Sequence, residues 1–380
     1  MDLDGLRPGR TATPTTAEGV AEVIREANAG HEALLLWGGG TRIGIGDAPD
    51  RYDVALDLRG LTGIVEYEPA DLVVTVRAGT TLAELADALG RNRQRWPVEP
   101  GHPELATVGG TVASAAGGPS SLRYFHPRDW TLGVQAVLGD GTVTRAGGRV
   151  VKNATGYDLT KLYSGSFGTL CALTELTLKL AAVPEGVLTL RADLVDLAHA
   201  YVEVRELLAA HLPLDALAVL TGPTAEAFDA PTWTALWVRV AGTPRVVERL
   251  RSEVAARLRC EEVDGLVWDR LAALPLDAGE SLRLTWPAGT IEPHPGPAGA
   301  LLYPGVDALH AFGVADQREI AAVRAELEAG GGAAVLERAR PELRSAVGTW
   351  GTARAPRAIA QGLKERFDPN GVLAPGRLAY

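Results

Sequence analysis

ALLLWGGGTRIGIG, residues 33–46, passes from a strand-length apolar run directly into a loop carrying five glycines in nine residues. Backbone this bare lets successive N–H groups converge on an anion and lets a flat ligand lie against the main chain. A second loop of the same texture, ATVGGTVASAAGG, occupies residues 106–118, and the dense segment VVKNATGYDLTKLYSGSFGTLCALTELTLKL follows at 150–180. The pair of loops reads as a cradle for a phosphate-bearing cofactor.

The two common nucleotide motifs do not fit. A dinucleotide fingerprint needs G-x-G-x-x-G opening a helix, and Gly38, Gly40 and Ile43 break that spacing, while DAPDRYD after Gly46 is a poor helix start. A phosphate loop of the Gly-Lys-Ser/Thr type is excluded because Gly44 is followed by Ile45.

Outward from the loops, the 380 residues are 46% apolar, enough for two cores, so two domains are expected. The net charge of −10 and pI near 5.3 leave no electrostatic footprint for nucleic acid. Cys171 and Cys260 stand alone and far apart, which excludes a four-cysteine iron–sulfur cluster on this chain and fits a reducing compartment. The opening MDLDGLRPGRTATPTT has no apolar core of a secretory signal, and no apolar run is long enough to span a bilayer. The expected location is the cytoplasm, with peripheral attachment through a partner left open.

Periodicity predicts a helix over 15–29, with Thr15 and Glu18 at capping-box spacing, a strand at 33–37, strands at 54–58, 64–67 and 72–76, and a helix at 81–89. Asp140-Gly141 marks a hairpin between strands at 134–138 and 142–144, and a long strand fills 172–180. Beyond Pro184, strands at 188–194, 217–221 and 235–240 alternate with helices at 197–210 and 244–258. A similar run recurs with strands at 282–286, 300–303, 309–313 and 333–336 and a helix at 316–329. The fold class expected is α+β. A two-lobed domain at 1–185, with lobes of about 1–95 and 96–185, precedes a cap domain at 186–340. The cap is a mixed, largely antiparallel sheet with helices on one face. Residues 341–380 form a strap that packs back on the first domain.

Several residues carry a family likeness: Gly38 to Thr41, Thr107 to Gly110, Gly117-Gly118, Arg128-Asp129 with Leu132-Gly133, Lys152-Asn153 with Gly156 to Leu159, Gly168 to Leu170 and Thr174-Glu175. In this order the chain resembles the FAD-linked oxidases of the vanillyl-alcohol oxidase type, the PCMH-type FAD-binding family. KNATGYDLTKL and the terminal FDPNGVLAPGR look like the FAD-binding subunits of bacterial glycolate oxidases.

The resemblance implies that Gly38, Gly39, Gly40, Thr41, Arg42 and Ile43 wrap the FAD pyrophosphate. It implies that Thr107, Val108, Gly109, Gly110, Ala113, Ser114, Gly117 and Gly118 run beside the ribityl chain and flavin ring, and that main chain around Leu170 and Cys171 meets the adenosine. Tyr157 either flanks the flavin or packs beneath the loop. Relatives with a covalent flavin often place a histidine in the first loop, where this chain has Thr41, so the expected FAD is non-covalent. Lys152 and Lys161 either help neutralise phosphate or are simply solvated.

Relatives that oxidise 2-hydroxy acids unaided carry a histidine-rich metal or base motif in the C-terminal half. Here His294 and His310 lie too far apart for a short metal-ligand spacing, and that half has no H-x-E or H-x-x-x-H, so no metal is expected. His310 on an apolar strand reads as a buried structural histidine. His102, beside the second loop, either approaches the flavin or serves a turn. Arg283 in SLRLTWP is the candidate anchor for a substrate carboxylate, against the alternative of an outward-facing arginine. The function implied is the FAD-binding subunit of a glycolate oxidase complex, working with a homologous catalytic flavoprotein and an iron–sulfur subunit. A self-sufficient 2-hydroxy-acid dehydrogenase and a structural flavoprotein subunit are the alternatives.

Overall fold

The structure is a computed structural model that describes residues 1–49, 51–148, 158–287, 299–306, 308–314, 316–352 and 357–378. The chain folds into two compact units built from interleaved segments. Met1–Gly117, His126–Val183 and Ala353–Tyr380 form the first, Gly118–Phe125 and Pro184–Thr352 the second.

In the first unit, β1 (Arg10–Ala12), β2 (Leu34–Trp37) and β3 (Val54–Asp57) make a parallel sheet in the order β1-β3-β2. The helix Ala17–Gly30 buries Val20, Ala21, Ile24 and Ala27, the spacing that puts four side chains on one stripe, against Leu34, Val54 and Leu56. Its N-cap is Thr16, whose hydroxyl accepts the Gly19 amide at 3.0 Å, not the Thr15 of the expected capping box. Parallel strands cannot be joined by a tight turn, so this helix is the crossover that carries the chain from β1 to β2, on the two sides of β3.

β4 (Ile64–Glu68), β5 (Val73–Arg77), β7 (Thr131–Leu138), β8 (Val143–Gly147) and β9 (Cys171–Lys179) form an antiparallel sheet in the order β4-β5-β9-β7-β8. Two short strands, β6 (Gln94–Arg95) and β10 (Ala181–Ala182), pair beside it. Val74 and Val76 of β5 and Leu176 and Leu178 of β9 alternate into one core, which the helix Leu82–Gly90 closes with Leu82, Leu85 and Leu89. The expected division between lobes at residue 95 therefore does not hold. β4 pairs with β5, and β5 pairs with β9, a hundred residues later, because Val74 and Val76 need the β9 leucines to be buried.

The C-terminal segment returns to this unit. After the helix Arg357–Phe367, the chain runs parallel beside β2: the Leu34 amide donates to Val372 O at 2.8 Å and the Ala374 amide to Leu34 O at 2.7 Å. The return begins at Ala353, later than the expected 341, because the helix Pro341–Val347 and Thr349 belong with the second unit. There the Leu336 amide donates to Thr349 O at 2.9 Å, and the Arg324 guanidinium serves Val347 O, Gly348 O and Thr349 O.

The second unit is one antiparallel sheet of β11 (Gly186–Leu194), β12 (Ala216–Thr221), β13 (Thr234–Gly242), β14 (Glu261–Val263), β15 (Ser281–Thr285), β16 (Ala300–Tyr303), β17 (Ala308–Phe312) and β18 (Ala333–Arg338). The order β14-β11-β13-β12-β16-β17-β15-β18 reads the same from either end if each strand is matched to the one four later, so the recurring pattern seen in the sequence is an internal repeat. Helices Leu197–Ala209, Pro244–Ala255 and Gln317–Ala329 pack on the face carrying Leu217, Val219, Leu282 and Leu284. The other face holds Ala218, Trp237, Leu301 and Tyr303 and is covered by a helix the periodicity did not reveal, Val267–Asp277, which buries Trp268 and Leu271. Gly118 lies in a short segment of this unit, where its amide donates to Ser121 Oγ at 3.1 Å.

Candidate functional site

In the first unit, the strand run of β2 ends at Trp37 and the chain opens into a cleft of about 800 Å³, part of it open to solvent. Gly38, Gly39, Gly40, Thr41, Arg42 and Ile43 form one wall; Thr107, Gly109, Gly110, Ala113 and Ser114 form another; Cys171 and Leu173 of β9 lie in a third. The sequence had singled out all of these except Leu173. Leu36, Trp37, Leu58, Ala78, Phe167 and Leu173 were missed as lining residues, since each reads as ordinary core or turn when taken alone.

The two glycine loops do different work. In the first, nothing among the described residues accepts the backbone N–H groups of Gly38, Gly39, Gly40 and Thr41, while the Ile43 amide closes a turn onto Gly40 O at 3.2 Å. Four donors in a row, at the end of a strand and against a cleft, suit an anion. In the second, the chain is not a bare loop but the helix Val108–Ala113. Thr107 caps it by accepting the Gly110 amide at 3.2 Å. The amides of Val108 and Gly109 are spent on Thr80 O at 2.9 Å and Ala78 O at 2.8 Å. This helix therefore offers a smooth glycine and alanine surface rather than donors. Val108 is fully buried and does not line the cleft, nor do Gly117, Gly118 and Leu170.

Glycine is required where the walls meet. A Cβ on Gly39 would stand 1.6 Å from Leu105 O, and one on Gly38 would stand 2.5 Å from Thr107 Oγ1. Arg42 reaches across to Pro100 O at 3.5 Å. Cys171 is fully enclosed, and burial pushes its thiol well above the ordinary value. These residues fit a diphosphate-bearing flavin: unclaimed amide donors on one wall, a flat surface without side-chain bulk on the next, and apolar Leu36, Phe167 and Leu173 around them.

His102 sits at a left-handed turn, φ +49°, with its carbonyl accepting the amides of Leu105 and Ala106, and it does not line the cleft. Arg283 lies on β15 in the second unit, where its Nε donates to Glu337 Oε1 at 2.9 Å. The other oxygen of Glu337 is 3.0 Å from His310 Nδ1, and both His310 and Glu337 are buried. Tyr157, Lys152 and His294 lie outside the described residues. Lys161 pairs with Asp158 at 3.3 Å. Among the described residues no cluster of three His, Cys, Asp or Glu side chains is placed to hold a metal, and no helix is long and apolar enough to cross a membrane.

Residues 8–147 match the family model described as an FAD binding domain. Over 256 residues the chain is 34% identical to the glycolate oxidase subunit GlcE of Escherichia coli (strain K12), covering 67% of this chain and 68% of that protein. The chain belongs to the PCMH-type FAD-binding oxidoreductases. FAD is the cofactor of this family, and the cleft between the glycine loop and the Val108–Ala113 helix is where this chain's residues suit it. The chain is also 36% identical over 167 residues to a D-lactate dehydrogenase of Archaeoglobus fulgidus (strain ATCC 49558 / DSM 4304 / JCM 9628 / NBRC 100126 / VC-16), covering 44% of this chain and 37% of that protein. Among solved structures, 4-ethylphenol oxidase from Gulosibacter chungangensis shares the fold, with a TM-score of 0.72 at 16% identity over 97% of this chain and 88% of that one.

Proposed function

We propose that this chain is the FAD-carrying subunit of an oxidoreductase complex that converts glycolate to glyoxylate. Electrons pass from it to a partner that carries the iron–sulfur centre, and a homologous flavoprotein subunit stands beside it. The observation that carries this reading is the row of unclaimed amides from Gly38 to Thr41 at the mouth of a glycine-walled cleft, in a chain 34% identical to a glycolate oxidase subunit. When bound, FAD supplies a two-electron acceptor for the hydride that leaves C2 of a 2-hydroxy acid as the hydroxyl proton goes to a base. The chain's own part is to hold the diphosphate on backbone amides, to lay Gly109, Gly110 and Ala113 against the ring system, and to exclude water with Leu36, Phe167 and Leu173. With only Cys171 and Cys260, an iron–sulfur centre falls to another chain.

The reading takes the flavin as non-covalent, supported by the enclosed, protonated thiol of Cys171, which is a poor nucleophile. In the alternative, a self-sufficient 2-hydroxy-acid dehydrogenase, the substrate carboxylate goes to the partly exposed guanidinium of Arg283, which Glu337 steadies through Nε. Anaerobic mixing with glycolate tests the reading. The flavin of the assembled complex is expected to bleach, while the isolated chain holds FAD and stays oxidised. Bleaching of the isolated chain alone would instead establish a self-sufficient dehydrogenase. A purified chain that takes up no FAD would end both readings.

A further inference from the structure

The first glycine loop has a second side. Its near end, from Gly38 to Ile43, lines the cleft; its far end, from Ile43 to Asp47, wraps a guanidinium that arrives from the other terminus of the chain. Arg377 is 3% exposed. Its Nη2 donates to Ile43 O and Ile45 O, and its Nη1 to Asp47 O at 3.0 Å and Gly46 O at 3.5 Å. The Asp47 amide returns a bond to Arg377 O at 3.2 Å.

The sequence builds this contact in steps. Residues 372–374 are tied to β2 through Leu34, and β2 leads into the loop, so the strap is in register with the loop's entry strand. The Arg377 amide turns back onto Ala374 O at 3.3 Å, which aims the side chain at the loop. Gly46, at φ +121°, leaves the needed space: a Cβ there would stand 3.0 Å from the guanidinium Cζ and 3.1 Å from Nε. Only arginine offers several fixed donors in one plane, which suits four carbonyls converging on one point.

We propose that Arg377 is a positioning residue of the cofactor site. The peptide unit is planar, so holding a carbonyl on one side turns the following N–H to the other. By holding Ile43 O and its neighbours, Arg377 fixes the turn that Ile43 closes onto Gly40, and with it the direction of the amides at Gly38 to Thr41 that take the diphosphate. The proposal rests on the assignment of FAD to this cleft.

The test is titration of the apoprotein with FAD and, separately, with riboflavin, which has the ring but no diphosphate. In Arg377→Ala the FAD dissociation constant is expected to rise about ten-fold or more, equal to ~1.4 kcal/mol, with riboflavin binding and the apoprotein melting temperature held. Arg377→Lys restores part of the loss, since one ammonium satisfies fewer carbonyls. Gly46→Ala, which displaces the guanidinium without removing it, repeats the selective loss and serves if the alanine variant at 377 does not fold. Unchanged FAD binding in these variants, or equal loss of FAD and riboflavin, overturns the proposal. Wild-type protein that bound no FAD would overturn it together with the cofactor assignment, and would show this before any substitution is made.

Discussion

Trp37 Nε1 donates to Tyr52 Oη at 2.6 Å, with both rings buried, so an aromatic wall of the cofactor cleft is pinned by a residue that does not itself line it. Tyr52→Phe should lower stability by ~1 kcal/mol at neutral pH and weaken FAD binding through the freed indole. Burial pushes the Tyr52 hydroxyl up from 10.0 to about 12. A raised folded value means that the unfolded chain loses this proton first. The residue's stabilising contribution is therefore complete below pH 10.0 and falls as pH climbs through about 12. Urea midpoints of wild type and variant should accordingly converge above pH 10.0; a gap that widens there would refute the assignment.

Gly39→Ala places a methyl group 1.6 Å from Leu105 O, and since the obstructing atoms are backbone and cannot rotate aside, the two segments must part. The expected result is a protein purified without flavin and with a lower melting temperature. Gly90→Ala is the control. Gly90 is the last residue of its helix and nothing lies within 4 Å of its Cβ position, so a gain of about 0.5–1 kcal/mol is expected.

Lys364 is buried with its ammonium on Thr169 O at 2.8 Å, Leu373 O at 2.7 Å and the carboxylate of Asp368, which in turn accepts the amides of Val372 and Leu373. Lys364→Met leaves a fully buried carboxylate without its cation and should cost about 3–5 kcal/mol in urea unfolding. Adding Asp368→Asn to that variant should recover part of the loss, because the stranded charge is gone. A cost below ~1 kcal/mol for the single variant would show that the pair is not closed in solution.

Acid precipitation of the holoprotein should release all its flavin into the supernatant, and Cys171→Ser should bind FAD as wild type does. Flavin retained on the precipitated chain, and lost from it in the serine variant, would identify Cys171 as a covalent attachment point.

Strong periodicity was readable from the amino acids alone. The strand expected at 172–180 lies at Cys171–Lys179, and the internal repeat of the second unit was visible as a recurring pattern. Elements made by tertiary contacts were not. VGGTVA carries two glycines and reads as a loop, yet it is helical because Thr107 caps it and Ala78 and Thr80 take its first amides. Val267–Asp277 was hidden by Pro275, which the helix tolerates near its end. In the site, glycines at the first loop announced themselves by composition. Arg377 did not, since its partners are 330 or more residues away along the chain and no local pattern marks a guanidinium aimed at carbonyls.

The return of residues 372–377 to β2 also sets an order of events during synthesis. The ribosome releases the glycine loop early, but the strand that flanks β2 and the guanidinium that grips the loop's far end are made only after the entire second unit. Until then the outer edge of β2 has no neighbour and the loop no anchor. On the role proposed for Arg377, assembly of a competent flavin pocket thus waits until residues 372–377 have been made, and chains truncated anywhere in the second unit should accumulate as flavin-free species.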